Sequence, residues 1–229
     1  GEIDSPLIAP LRPEVPTLKT GNPYMVEVVV RTLGLGHPFS QGTVDSNEIW
    51  VALIARADGR VIGRSGGIAD NGAVDPFSHF INVYMLDRDG NRIDRRNPQD
   101  IFVPLYNKQI PPGAGQTVHF GLDVPKELKG PVTLEANINY RKFDRKYLDY
   151  LFGQGKGPDL PVVVMARDPL KLPIAGGATV ENEPAPLQGG WHRWNDSGIG
   201  LLPQGRAKGG PQGGAKQADT VLLHGAERG

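Results

Sequence analysis

Five histidines are the residues of this sequence best suited to bind a metal through nitrogen: His37, His79, His119, His192 and His224. No two of them have the i, i+4 spacing of a helical zinc site, and none belongs to an H-E-x-x-H motif. His37 lies in a Gly-rich loop, His79 opens a predicted strand, and His119 faces outward on another strand. These three are candidate axial ligands for a haem iron whose porphyrin is held by another segment or chain. The alternative is that each histidine organises a turn or a strand edge through hydrogen bonds.

An acidic segment resembles the first half of a calcium-binding loop. It offers the side-chain oxygens of Asp87, Asp89, Asn91 and Asp94 at closely spaced positions. The Glu that completes such a loop is missing, and Asp89-Gly90 between two strands is also a common hairpin turn. Calcium binding at these four residues and a plain hairpin are the two hypotheses for this segment.

Residues for covalent catalysis are scarce. The chain has no cysteine, which excludes disulfides, thiolate metal sites and the C-x-x-C-H attachment of a c-type haem to this polypeptide. Gly34-Leu35-Gly36 lacks the third glycine of a phosphate-binding loop. Because no convergent base, nucleophile and electrophile can be found, we expect a protein that is not an enzyme.

Composition favours many short strands over a helical body. The 229 residues include 31 Gly and 21 Pro, a proportion typical of strands joined by frequent turns. The formal net charge is zero, so no global field attracts nucleic acid or an anionic membrane. No apolar run approaches the roughly 20 residues that span a bilayer, so no membrane insertion is expected. Gly1 in place of an initiator Met predicts a processed form or a piece of a longer product.

Alternating side chains predict the elements that must position these residues. Val26, Val28 and Val30 define one half-buried strand, 47–56 is apolar on both faces, and 132–140 alternates throughout. About seven such strands predict an all-β fold, an antiparallel immunoglobulin- or fibronectin-like sandwich over 24–153. One short helix is expected after Asp144 as N-cap, ending at Gly153.

The flanking segments are expected to be extended and rich in Pro and Gly. We expect residues 1–23 to form an extended lead-in along a sheet edge. Residues 154–190 are expected to form a linker that runs over the surface, with a possible strand at 161–166. Within 191–229 a helix is expected to open at Asn195 or Asp196, anchored by Trp191 and Trp194. A Gly-rich tail follows from Pro203.

The segment from Leu33 to Asp45 (LGLGHPFSQGTVD), followed by Asn47-Glu48-Ile49-Trp50, resembles a "GHxFPxGTxDxNExW" pattern. That pattern is found in the haem-free C-terminal β-domain of multihaem c-type cytochromes of the cytochrome c554-like and octahaem kind. The resemblance extends over roughly 24–152 and includes Phe77-Ser-His79-Phe80 and the 86–91 hairpin. In several such proteins a tetratricopeptide array follows, and its opening segment is similar to 194–202. Ser40 stands where the family has Pro, and beyond Pro203 the match stops.

The resemblance implies a periplasmic or extracellular electron-transfer assembly whose haem-bearing region lies outside this chain. The preferred hypothesis is a haem-free accessory module that packs on haem-bearing segments of a multihaem c-type cytochrome. It would contact haem c in trans and donate His37, His79 or His119 to an iron. The alternative is an exported adhesion or interaction sandwich that binds protein or glycan, with calcium as a stabilising ion.

Overall fold

A computed structural model describes residues 8–42, 45–185 and 190–207, with only the backbone described at 190–191 and 202–207. In this part of the chain the order of elements is β1 (Pro23–Arg31), β2 (Glu48–Ala57), β3 (Arg60–Ser65), β4 (His79–Phe80), β5 (Val83–Leu86), β6 (Val103–Asn107), β7 (Gly115–Asp123), β8 (Val132–Arg141), α1 (Arg145–Phe152), β9 (Val163–Leu172) and α2 (Gly190–Ala207). None of the helices described is long and apolar enough to cross a membrane.

The strands form antiparallel sheets, as the alternating pattern predicts. The main sheet has the order β3-β2-β8-β9, with β4 paired to β2, and β1 pairs with β7 in a second sheet. Strands β5 and β6 form a separate two-stranded ribbon. The described part of the chain is therefore mostly β-sheet with two α-helices, which confirms the all-β, sandwich-like fold class.

The core lies between the main sheet and the β1–β7 sheet. Strand β8 contributes the side chains that the alternation places inward, from Val132 and Leu134 to Ile138, and β7 contributes Val118 and Phe120. Strand β2 is covered on both faces because 66–78 and Val162 pack over its second side. There Trp50 is 0% exposed and its Nε1 donates to the Gly66 carbonyl over 3.0 Å. Burying a ring of this size contributes about 2–3 kcal/mol.

Helix α1 begins and ends where the sequence predicts. The Asp144 side chain accepts a hydrogen bond from the Tyr147 amide over 2.7 Å, which satisfies one of the first free amides of the helix. Gly153 terminates it with a φ of 90°, a conformation that suits glycine. Arg92 adds a second partner for Asp144, with Nη2 3.5 Å from the carboxylate.

The second helix begins earlier than expected. A start at Asn195 or Asp196 is wrong, because α2 runs over Gly190–Ala207. Asp196 lies inside it as the buried partner of Arg31 on β1. Trp194 is buried and packs with Leu201 and Ala9, which anchors the helix as expected of that tryptophan. The side chain of Trp191 and the tail at 208–229, with His224, lie outside the described residues.

Strand β9 is longer than the expected strand at 161–166. It covers Val163–Leu172 and pairs with β8 along its length, so the first part of the Pro/Gly-rich stretch after Ala166 belongs to the sheet. Near its end the Asn182 side chain binds both the amide and the carbonyl of Lys171, at 2.7 and 3.0 Å. Pro169 has no amide to present at this outer edge. The first half of the strand carries exposed apolar side chains at Val163, Val164 and Met165.

Candidate functional site

Two of the three candidate histidines, His37 and His79, lie at one end of the sandwich, which we call the loop end. Arg31 at the end of β1 lies opposite Gly115 at the start of β7, and Glu48 at the start of β2 lies opposite Arg141 at the end of β8. The two sheets are joined there by His79 on β4, whose ring contacts Gln116 on β7. The 32–47 loop, the 66–78 loop and helix α1 therefore lie at the same end.

The loop that contains His37 is held at the loop end by hydrogen bonds of Phe39 and Ser40. Phe39 and Ile110 exchange two backbone hydrogen bonds of 2.8 Å each. The hydroxyl of Ser40, which stands where the resembling sequence pattern has Pro, is buried and donates to the Ile81 carbonyl. Ser40 thus provides a link to the end of β4 that a proline could not supply.

His37 itself is exposed, and its ring orientation is fixed by a single contact. Its Nδ1 lies 3.0 Å from the Pro38 carbonyl, and because a carbonyl only accepts, Nδ1 is the protonated nitrogen. The neutral ring then keeps its lone pair on Nε2, for which no partner is found among the described residues. A ring whose other N–H is held by a backbone carbonyl is a common arrangement for a metal-binding histidine.

His79 and His119 use their Nε2 atoms within the protein. Nε2 of His79 lies 3.1 Å from Oε1 of Gln116, and burial lowers the pKa of this half-buried imidazole. Nε2 of His119 lies 3.1 Å from Oε1 of Glu27, its direct neighbour across the β1–β7 pair. As an outward-facing residue in the middle of its sheet, His119 is remote from the loop end. Among the three candidates, His37 has the geometry best suited to an axial ligand.

Three of the four proposed calcium ligands, Asp87, Asp89 and Asn91, form a hydrogen-bonded hairpin turn, which is the other hypothesis for this segment. Oδ1 of Asp87 accepts from the amides of Asp89 and Asn91 at 2.9 and 2.8 Å, and Oδ2 lies 3.1 Å from Nδ2 of Asn91. These hydrogen bonds, the Asn91 side chain first, lower the pKa of Asp87. Asp94 is 3.7 Å from Nε of Arg95. In the described ranges no three His, Asp or Glu side chains converge as metal ligands, and calcium binding here stays a prediction.

A ribbon of aromatic and cationic side chains adjoins the loop end. The ribbon consists of β5, β6 and the 87–102 segment between them, and Tyr84 and Tyr106 face each other across its strands at 5.4 Å. Arg92 lies over Tyr84 at 4.9 Å and Lys108 over Tyr106 at 5.0 Å. Each cation held over a ring gains about 0.5–1 kcal/mol at an exposed site.

The other cation–π pairs lie in the same region. Arg88 is 5.0 Å from the Phe102 ring, Arg95 is 5.1 Å from Tyr150, and Lys142 is 5.5 Å from Phe143. All such pairs found in the described residues therefore belong to the ribbon, to α1 or to the residues just before α1. Local sequence pattern does not reveal this cluster, because its members are brought together only by the strand pairing of β5 with β6 and by the position of α1.

Exposed apolar side chains are concentrated around the loop end. Apart from Ile8, Met25, Val29 and Val61, the exposed large hydrophobic residues of the described chain lie on the loops of this end, on the ribbon, on α1 and at the start of β9. Phe77, two residues before His79, is 93% exposed. Clustered apolar exposure of this kind marks a surface that contacts another molecule.

Beneath these loops the sheet ends in a buried ion pair. Arg141 donates to Glu48 directly across the β2–β8 pair, and its Nη1 also donates to the Gly72 carbonyl over 2.7 Å. The pair ties the 66–78 loop to the main sheet. Removing one partner of a buried ion pair costs about 3–5 kcal/mol. The Arg141–Glu48 pair therefore holds the 66–78 loop in place against the sheet.

Comparisons with known proteins give one distant likeness. No protein-family model matches the sequence, and no curated protein matches it. The fold is similar to the crystal structure of a penta-heme cytochrome c552 from Thermochromatium tepidum, with a TM-score of 0.49 and 16% sequence identity. The similarity covers 69% of this chain and 38% of that one, so the chain spans well under half of the cytochrome's length. A likeness this distant assigns neither an activity nor a cofactor to this chain.

Proposed function

We propose that this chain is a haem-free accessory module of a multihaem c-type cytochrome assembly, and that its loop end packs on a haem-bearing segment of the partner. The proposal rests on the sequence resemblance of the His37 loop and on one observation above all. That observation is an exposed imidazole whose Nδ1–H is held by the Pro38 carbonyl while Nε2 is left open to solvent.

In this function His37 is the axial ligand that the module offers to the partner's iron. Haem iron accepts imidazole nitrogen as an axial ligand, and the bound haem supplies one-electron transfer. The role of this chain is to hold Nε2 in place, through the Pro38 carbonyl, the Phe39–Ile110 pair and the Ser40 hydroxyl. Its exposed apolar side chains, Leu33 and Leu35 among them, would exclude water from the porphyrin edge.

Location and assembly follow from the same proposal. We expect the chain in the periplasm or outside the cell, where c-type cytochromes of this kind work, and within a larger complex. The start of a truncated tetratricopeptide-repeat region near Trp194 belongs to the same proposal, and helix α2 would supply its first helix.

A short haem c peptide whose iron keeps one axial position open tests the proposal directly. Titrating the purified chain into the peptide is expected to convert its Soret and visible bands to the low-spin, bis-histidine form. His37→Ala should abolish this change, whereas His119→Ala should leave it intact. Spectra that do not change with the wild-type chain, or that change equally with His37→Ala, would refute a ligand role for His37.

An adhesion or interaction sandwich remains the alternative function, favoured by the 93% exposure of Phe77 on a loop. Exposed aromatic side chains are typical contacts for protein or glycan ligands. This alternative predicts that Phe77→Ala reduces binding to the natural partner while the haem-peptide spectrum stays unperturbed by the wild-type chain.

A further inference from the structure

The outer face of the main sheet, which points away from the β1–β7 sheet, is only partly covered. The 66–78 loop and Val162 cover the part that includes Trp50. On the uncovered part, the register of β3, β2, β8 and β9 brings exposed cations to one surface. The cations are Arg64 opposite Ile54, Arg56 two residues further along β2, Arg167 opposite Asn137, and Lys171 opposite Thr133.

Acidic side chains do not balance these cations. Among the described strands, the register places a single carboxylate on the uncovered part of this face, that of Glu135. It accepts hydrogen bonds from Asn137 over 2.9 Å and from Arg167 over 2.6 Å. These two hydrogen bonds, with a smaller effect of the Arg56 charge, lower the pKa of Glu135. The carboxylate is therefore ionised at neutral pH and is already bound by Arg167.

Lys171 lies at the edge of the face, beside a second source of acid groups. The Asn182 side chain binds its main chain at 2.7 and 3.0 Å, and Asn182 stands between Glu181 and Glu183 in the sequence. Arg167 and Lys171 are thus next to acidic residues of the same chain. The charge that remains open to a partner is that of Arg56 and Arg64.

Arg56 and Arg64 form no ion pair with an Asp or Glu among the described residues. Because Arg64 is opposite Ile54 and Arg56 follows Ile54 by two residues, they are diagonal neighbours on adjacent strands, about 7–8 Å apart. Like charges at this spacing repel each other, and a carboxylate that contacts both guanidinium groups replaces the repulsion with attraction. Beside them lie two apolar side chains, the half-buried Ile54 and Val61, which is 45% exposed.

An acidic polypeptide segment matches this surface in charge. Arginine binds a carboxylate through two parallel N–H···O bonds, which fix the direction of the group as well as its position. An apolar side chain next to the acidic one would cover Val61. Nucleic acid fits less well, because its closely spaced phosphates would also meet the carboxylate of Glu135, which lies opposite Ile54 on β8.

We propose that the outer face of the main sheet binds an acidic segment of a partner polypeptide through Arg56 and Arg64. Arg56 is next to the last residue of β2, whereas the loop end is at the first residue of that strand, Glu48. The site is therefore separate from the His37 loop, and the inference does not depend on a haem-bearing partner.

Hexaglutamate with a terminal fluorescent label tests the site by fluorescence anisotropy. We expect it to bind the wild-type chain at low ionic strength and to dissociate as salt is added. Arg56→Gln and Arg64→Gln should each weaken binding roughly three- to tenfold, which corresponds to one lost charge-assisted contact. Glu135→Gln should tighten binding about two- to threefold, because it removes the repelling carboxylate and frees Arg167 for the peptide.

The matched control is Arg88→Gln, because Arg88 is also an exposed arginine but belongs to the ribbon. Its affinity for hexaglutamate should equal that of the wild type. Hexaglutamine with the same label should not bind, which excludes binding through the label or the peptide backbone. Melting temperatures of all variants establish that they remain folded.

Three results would overturn the inference. The first is hexaglutamate binding that is absent or insensitive to salt. The second is an affinity of Arg56→Gln and Arg64→Gln no lower than that of Arg88→Gln, which would reflect only the overall charge of the chain. The third is tighter binding of a labelled single-stranded oligonucleotide of the same charge, which would assign the face to nucleic acid. Hexaglutamate should leave the haem-peptide spectrum unchanged, so the proposed function stands or falls separately.

Discussion

Replacing Gly200 by Ala has two opposite effects on protein stability. The higher helix propensity of Ala stabilises the helix, whereas the added Cβ crowds the neighbouring strand. Gly200 lies on α2 where the helix meets β7, and a Cβ at this position would be 2.5 Å from Oγ1 and 2.8 Å from the amide nitrogen of Thr117. Thr117 is 1% exposed and belongs to a strand paired along its length with β1, so its backbone cannot retreat. Helix propensity alone would make Ala more stable than Gly by about 1 kcal/mol.

We expect the steric effect to win. Overpacking a close contact costs about 1–3 kcal/mol, and the close atoms here include a strand backbone that no side-chain rotation can move. Because backbone atoms are among the closest, the cost should lie near the upper end of that range, about 3 kcal/mol; less the gain in propensity of about 1 kcal/mol, the net loss in free energy of unfolding should be about 2 kcal/mol. Much of it should appear as release of α2, which is held by the Arg31–Asp196 pair and by Arg193 hydrogen bonds to the carbonyls of Leu11 and Arg12.

Urea unfolding followed by circular dichroism measures the loss, and limited trypsin cleavage after Arg193 reports release of the helix. Gly121→Ala is the matched control, because Gly121 lies on the same strand and a Cβ there meets no atom within 4 Å. Its stability should stay within about 0.5 kcal/mol of the wild type. A Gly200→Ala chain as stable as the wild type, or more so, would refute the close approach of α2 to β7.

Three other predictions concern the loop end. Burial lowers the pKa of His79 below its ordinary 6.5, so the folded state favours the neutral ring; this stability is present above pH 6.5 and is lost as the pH falls towards the folded pKa. His79→Gln should therefore flatten the acid side of a plot of melting temperature against pH, and an unchanged slope would contradict the shift. Asp144→Ala should cost about 1 kcal/mol or more through loss of the α1 cap, measured by thermal unfolding, while Asp144→Asn, which keeps an accepting oxygen, should cost less. If Asp87, Asp89, Asn91 and Asp94 bind calcium, added calcium should raise the melting temperature and Asp87→Asn should remove the effect; equal melting in calcium and in chelator would exclude it.

The parts of the fold that the sequence predicts are those in which local pattern and tertiary packing agree. The alternation of 132–140 places the inward side chains of β8 correctly, and Asp144 and Gly153 mark the ends of α1 because capping depends on a few neighbouring residues. Helix α2 begins before the expected Asn195 or Asp196 because Asp196 is taken up by a buried pair with Arg31, a contact distant in sequence. Local capping preference could not reveal that contact.

The candidate site was predictable only in part for the same reason. His37 could be selected from its Gly-rich loop, but the orientation of its ring depends on the Pro38 carbonyl, which only coordinates reveal. The ribbon depends on Tyr84 and Tyr106 being opposite each other in β5 and β6, with Lys108 folded back over a ring. The division of the chain at 24, 154 and 191 stays a prediction, although β9, within 154–190, extends the main sheet.

The outer edge of β9 has a practical consequence for handling the protein. Its end is blocked, since the Asn182 amide occupies the main-chain groups of Lys171 and Pro169 offers no donor. The opening residues Val163, Val164 and Met165 are apolar and exposed, and among the described residues no side chain is found bonded to their main chain. In concentrated stocks of the isolated chain, this short segment is where fibril-like stacking would nucleate. A charged residue such as Lys in place of Val164 should lengthen the lag time of thioflavin fluorescence.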